Sequence, residues 1–141
     1  MTRLFIGNKL KLFIGNKQEA IIMIDTKLGL VETRFAEIIW KHEPIGSREL
    51  AEICNKELSW KRPTTYNVLR KLCEKGIFKN EDGIVTSVIG REEFFGLQGE
   101  EFVEENFKGS LPAFVAAFTT RKKLSDKEID ELIEIINSKR G

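Results

Sequence analysis

The sequence predicts a mainly α fold of the winged helix-turn-helix class, three helices plus a β-hairpin wing, followed by a C-terminal helical region. Three observations predict it. Apolar residues over 31–42 recur at helical spacing and stop before Pro44. The run over 58–76, LSWKRPTTYNVLRKLCEKG, reads as a helix that packs with one face and presents the other. Beyond it, Asp82-Gly83 separates two strand-like runs, which is a hairpin signal.

The elements follow in chain order. Leu-Phe-Ile-Gly-Asn-Lys occurs at residues 4–9 and again at 12–17, an offset of eight, and two copies are too few for a solenoid. A hairpin turning at Gly7-Asn8 is one reading of this repeat. The favoured reading takes Met23 as the biological start, which leaves residues 1–22 as an extension without a part in recognition; residues 1–27 as a whole are expected to be a disordered N-terminal extension. In the first helix Val31, Phe35, Ile38, Ile39 and His42 form the apolar stripe. Ser47 is the expected N-cap of a second helix carrying Leu50, Ala51, Ile53, Cys54 and Leu58. A turn at Ser59-Trp60 leads into the third helix.

Advancing about 100° per residue from Thr64 gathers Thr65, Val68, Leu69, Leu72 and Cys73 on one side of that helix. Asn67 and Arg70 point the opposite way, with Thr64, Tyr66 and Lys71 on the flanks. Lys61 and Arg62 put positive charge beside the helix start, and Gly76 ends it as a left-handed cap would. The outward face offers an amide, a guanidinium, a phenol and an ammonium, groups that hydrogen-bond base edges and phosphates. Ile77-Phe78-Lys79 and residues 84–88 then flank Asn80-Glu81-Asp82-Gly83 as the wing. In this layout the second helix crosses the DNA backbone and the third enters the major groove.

The C-terminal part has its own pattern. Arg91-Glu92-Glu93 opens a long helix, loosened by Gly96 and Gly99, with Phe102, Val103 and Phe107 on its apolar side. Ser110 can cap the next helix, with Leu111 and Pro112 in its first turn, and Leu111, Phe114, Val115 and Phe118 repeat at helical spacing. Ser125-Asp126-Lys127-Glu128 is a capping box ahead of Ile129, Leu132, Ile133 and Ile136. Three short amphipathic helices cannot bury these faces alone, so a second subunit is the expected cover; folding back on the first domain is the alternative. The expected domains are residues 28–89, the winged helix, and 90–141, the dimerisation region.

Composition excludes more than it assigns. The 141 residues suit one small domain with an appended helical region, and 23 basic against 22 acidic side chains argue against a purely electrostatic binder of nucleic acid. The distribution is uneven: residues 59–75 carry a net of +4 and residues 91–141 a net of −3, which suits a basic reading head on an acidic tail. Charged and amide residues interrupt the apolar N-terminal stretch, and no cleavage pattern follows it, so a cytoplasmic protein is expected. Cys54 and Cys73 fall on inward helix positions as reduced core thiols, and one histidine with two separated cysteines makes no zinc spacing. No catalytic residue, cofactor, metal or small-molecule substrate is expected, since a nucleophile–base device has only His42 to draw on and no phosphate-binding glycine loop occurs.

Several of these segments occur together, in order, over residues 28–136. They are Glu32, Ile39-Trp40-Lys41, Glu49-Leu50, Leu58-Ser59-Trp60, Thr64, Leu69, Leu72 and Lys75-Gly76. Arg91-Glu92-Glu93, Phe107-Lys108-Gly109-Ser110-Leu111 and residues 124–129 continue the series. In this the chain resembles the penicillinase repressors, with the methicillin-resistance and copper-responsive repressors as relatives. The resemblance implies a homodimeric transcriptional repressor on a palindromic double-stranded operator, controlling β-lactam resistance genes, with C-terminal helices as the dimer interface. Thr64 and Asn67 would read base edges, Asn67 suiting adenine, and Arg70 would read guanine or grip phosphate. Tyr66, Lys61, Arg62 and Lys71 would fix register on phosphates. Glu81 and Asp82 at the wing tip would repel phosphate, which leaves Lys79 or Thr86 as the wing contact. The resemblance also implies release by a membrane-linked sensor protease cutting within residues 101–109. Asn106-Phe107 is the available asparagine–aromatic bond there, shifted in register from the relatives' site. The chain ends Asn137-Ser138-Lys139-Arg140-Gly141 without the cysteines of the copper-responsive relatives, so copper sensing is not expected. A function of another class, a winged-helix protein-interaction module in a larger complex without DNA reading, stays open at this point.

Overall fold

Strand pairing begins earlier in the chain than expected. The computed structural model describes residues 2–6, 9–14 and 20–140. Three strands, β1 (Thr2–Ile6), β2 (Lys9–Ile14) and β3 (Ala20–Asp25), form an antiparallel meander in that order. Ile6 pairs with Lys9 and Ile14 with Ala20. The expected disordered extension over 1–27 is therefore replaced by strand in these segments. The physical reason lies in the repeat itself: short runs rich in Leu, Ile and Phe carry strand propensity, and two copies can pair with each other. The Gly7-Asn8 turn lies outside the described residues. At the end of β3 the chain enters the core, with Ile24 and Thr26 buried.

Helix α1 (Leu30–His42) starts where the Gly29 N–H donates to the Glu32 carboxylate at 3.0 Å. Phe35, Ala36, Ile38 and Ile39 are buried, while Val31 and His42 at the ends of the expected stripe are exposed. The His42 ring nitrogen Nδ1 meets the Ile38 carbonyl at 2.9 Å. After Pro44, two residues form β4 (Ile45–Gly46), and α2 (Ser47–Leu58) follows directly. The expected N-cap moves by one residue: Gly46 is the cap and Ser47 the first helical residue, its N–H donating to the Gly83 carbonyl at 2.8 Å. The cause is β4, whose pairing with the wing takes up the backbone groups just before the helix.

After α3 (Arg62–Glu74) the wing is built from β5 (Phe78–Glu81) and β6 (Ile84–Ser87), joined by Asp82-Gly83. Both turn residues have positive φ, 52° and 82°, the conformation that a two-residue hairpin loop of this twist requires. The sheet order is β4-β6-β5, with Ile45 opposite Val85 and Asn80 opposite Val85 on the other side. Glu43 accepts from the Ser87 N–H and hydroxyl at 3.0 and 2.7 Å, tying the end of α1 to β6.

The C-terminal helices are α4 (Arg91–Phe107), α5 (Leu111–Arg121) and α6 (Asp126–Ser138). Ser110 caps α5, accepting from the Ala113 N–H at 3.1 Å, and Ser125 with Glu128 forms the expected capping box on α6. Gly96 and Gly99 do not interrupt α4. The chain divides into two compact units, residues 1–98 and 99–141, so the expected boundary at 89/90 shifts into α4. Aromatic packing explains the shift. Phe94 and Leu97 are fully buried, and the Trp40 ring lies 5.4 Å from Phe78, 5.4 Å from Phe94 and 5.7 Å from Phe95. The indole N–H of Trp40 donates to the Ile89 carbonyl at 3.0 Å. Arg91 completes the seam, with its Nε 2.8 Å from Glu37 and its guanidinium 4.9 Å above the Phe95 ring. The shared hydrogen bonds and charge of Glu37 raise the Arg91 pKa further. The first turns of α4 are thus a wall of the winged-helix core, each large apolar side chain there contributing roughly 1.5–3 kcal/mol by burial.

Candidate nucleic-acid interface

Helix α3 is held at both ends. Ser59 adopts the left-handed conformation at φ 57° and closes α2. The next residue, Trp60, is held three ways: its N–H reaches the Cys54 carbonyl at 3.3 Å, its carbonyl accepts from Asn55 Nδ2 at 3.0 Å, and its ring lies 5.3 Å from Phe35. Pro63 occupies the first turn of α3, where a missing N–H costs nothing. At the far end Gly76, at φ 82°, donates to the Cys73 carbonyl at 3.0 Å, and Ile77 to the Leu72 carbonyl at 3.2 Å. This pair of bonds is the Schellman closure of a helix. The Asp25 N–H then takes the Lys75 carbonyl at 2.9 Å, and the Lys75 ammonium donates to the Lys27 carbonyl.

The inward face is the expected one. Thr65, Leu69 and Leu72 are buried, and Val68 and Cys73 are half-buried. Thr65 packs toward Cys54 of α2. Burial pushes the Cys54 thiol up to about 11, with the Thr65 hydroxyl pulling against that rise and Glu57 adding to it. Burial, then Glu74, also raises the Cys73 thiol. Both cysteines are free.

Every side chain singled out for DNA contact is open to solvent on or beside this helix. Lys61, Arg62, Thr64, Tyr66, Asn67, Arg70 and Lys71 are all exposed. Arg70 Nη2 donates to Asn67 Oδ1 at 3.3 Å, so the guanidinium and the amide one turn earlier form a preset pair. No acidic residue stands in the first turn of α3. The wing is differently disposed. Lys79 is engaged with Glu81 at 3.1 Å, and Thr86 is half-buried. Three side chains that the sequence reading left out of the interface adjoin this face. Asn55 and Lys56, at the end of α2, line a recess of about 350 Å³ with Arg62, and Asn80 of β5 lines another of about 260 Å³ with Tyr66 and Arg70. The α2 pair was detectable as a polar end on an otherwise amphipathic helix. The second recess depends on how the wing lies against α3, which no local pattern specifies.

The second unit presents a different chemistry. Phe102, Phe107, Phe114 and Phe118 form a chain of ring contacts with centroids 5.5–6.1 Å apart. Phe107 and Phe114 are half-buried within it, whereas Leu111, Val115, Phe118, Ile129, Leu132, Ile133 and Ile136 are exposed, Ile136 at 61%. Asn106 is exposed in the last turn of α4, its amide donating to the Phe102 carbonyl at 3.0 Å. The stretch proposed for cleavage is therefore helical as far as Phe107, and its left-handed exit comes at Lys108 and Gly109. Among the described residues no group of three or more metal-binding side chains occurs, and no helix is long and apolar enough to cross a membrane.

Comparison with known proteins finds relatives by sequence. The penicillinase repressor of Bacillus licheniformis is 27% identical over 109 residues, covering 74% of this chain and 85% of that protein. The methicillin resistance regulatory protein MecI of Staphylococcus aureus strain Mu50 is 24% identical over 117 residues, 80% of this chain and 95% of its own. Its counterpart in Mammaliicoccus sciuri is 23% identical with the same coverage. The penicillinase repressor family as a whole matches residues 28–138, from the residues leading into α1 to the end of α6. With the winged helix, the capped α3 and the C-terminal helices all inside that match, the chain belongs to the penicillinase repressor family.

Proposed function

We propose that this protein is a cytoplasmic transcriptional repressor that binds a two-fold symmetric operator as a homodimer, and that its targets include β-lactam resistance genes. One observation carries the reading: Asn67 and Arg70 lie on the outer face of a helix whose inner face is locked into the core, with Thr64, Tyr66 and Lys71 exposed on its flanks and Lys61 and Arg62 exposed at its start. Thr64 and Asn67 read base edges, and Arg70, held by Asn67, reads guanine or grips phosphate. Lys61, Arg62, Tyr66 and Lys71 hold phosphates and set register. Two copies place their α3 helices in major grooves about one helical turn apart, or a multiple of it. The relatives' names supply the resistance genes as the target class, and the exposed apolar faces of α5 and α6 supply the dimer contact. Release proceeds through a membrane-linked sensor and cleavage near Asn106-Phe107.

Selection of duplexes from a random-sequence pool by the full-length protein tests the central statement. An enriched motif with two-fold symmetry is expected, bound with an affinity that falls steeply as salt rises. Failure to enrich any motif would remove DNA reading and favour a protein-interaction module, which the acidic wing tip suits. Intact-mass measurement after induction tests release: a chain that stays full length while its targets switch on rules out proteolysis.

A further inference from the structure

We infer that Asn80 is a further operator-contacting residue, so that the wing meets DNA at its root beside α3 rather than at its tip. The inference rests on the DNA-reading function proposed above. Strand alternation makes the case. Phe78 and Asn80 share one face of β5, opposite Ser87 and Val85, while Lys79 and Glu81 take the other. Phe78 and Val85 are buried, so Asn80 holds a register position on the core side, where an apolar residue is the ordinary choice. It is nonetheless exposed, because at that point the strand borders the recess of about 260 Å³ lined by Tyr66, Leu69, Arg70 and Cys73 of α3. Among the described residues its amide has no hydrogen-bond partner, whereas the Lys79 ammonium is engaged by Glu81 at 3.1 Å. Glu81 and Asp82 deny the tip to phosphate. An amide offering both donors and an acceptor stands instead beside the guanidinium of the reading helix, equipped for a base edge at the flank of the α3 contact.

Two substitutions test the inference, on the duplex selected by wild-type protein and on a scrambled duplex of equal length and composition. Asn80→Ala should weaken binding to the selected duplex about tenfold and leave the scrambled one unchanged, the pattern of a lost base contact. Asn80→Lys should tighten binding to both and steepen the salt dependence by about one unit of slope, because a new cation then lies against a phosphate. The side chain is exposed, so both variants should melt with wild type. If both bind and respond to salt as wild type does while Asn67→Ala still weakens the selected duplex, Asn80 makes no contact and the inference is overturned. If Asn67→Ala is also indistinguishable from wild type on the two duplexes, the DNA reading itself has failed, and the inference falls with it.

Discussion

Asn67 and Lys71 sit one turn apart on the same exposed face, yet their chemistry assigns them different work. Asn67→Ala should relax base preference at one operator position at a cost of about 1–3 kcal/mol, the usual worth of a bidentate base contact. Lys71→Ala should weaken all duplexes alike and reduce the salt slope by about one unit. Quantitative binding to selected and scrambled duplexes separates the two; identical behaviour would refute the assignment of α3. Beneath this face, Cys54 makes a second prediction. Its folded pKa of about 11 lies above the ordinary 9.0, so between those values the folded state holds a proton that the unfolded chain has released. Its contribution to stability is complete below pH 9.0 and is lost as pH rises toward 11. Urea unfolding across that alkaline window should show falling stability in wild type and a flatter profile in Cys54→Ala. The thiol's inward position was legible from helical spacing. The influence of the Thr65 hydroxyl on it was not, because the two residues belong to different helices whose separation no periodicity encodes.

The elements themselves were legible where local chemistry acts alone. Helical spacing located α1, α2 and α3, Gly76 marked the end of α3, and Asp82-Gly83 marked the wing turn. Three features escaped. Two-residue β4 is too short to carry a period and exists only because β6 pairs with it. The strands of the N-terminal meander were outweighed by Met23 as a plausible start, although the repeat held the pairing information. The third was the boundary inside α4, since a helix that serves two units has one continuous pattern. Placing the boundary at 98/99 makes Phe94 a residue of the winged-helix core. Phe94→Ala should therefore destabilise that unit by about 3–5 kcal/mol, a large share of a small domain's stability. Urea denaturation followed by tryptophan fluorescence measures it, and a loss below about 1 kcal/mol would mean that α4 is no wall of the core.

At the scale of the molecule, charge and apolar surface are segregated along the chain. The basic segment lies at α3, the acidic side chains of the C-terminal part lie on α4 and α6, and α4 to α6 carry most of the exposed Leu, Val, Phe and Ile side chains. Phe118→Asp would set a charge in that apolar surface, where an unpaired ion is costly once a partner covers it. The variant should sediment as a monomer, keep the winged helix folded and bind a two-half-site operator far more weakly, as sedimentation and duplex titration would reveal. Wild-type protein sedimenting as a monomer at micromolar concentration would sink the dimer. The aromatic seam that welds α4 to the winged helix has one more outcome, and it is optical. Trp40 and Trp60 are the only two tryptophans and Tyr66 the only tyrosine, so every strong intrinsic fluorophore precedes residue 99, and the second unit contains only phenylalanines. Tryptophan emission therefore witnesses the first unit alone, whereas far-ultraviolet dichroism counts helix in both. Where the two signals lose amplitude together the units melt as one, and where dichroism falls first under a steady emission, the C-terminal helices have come apart in silence.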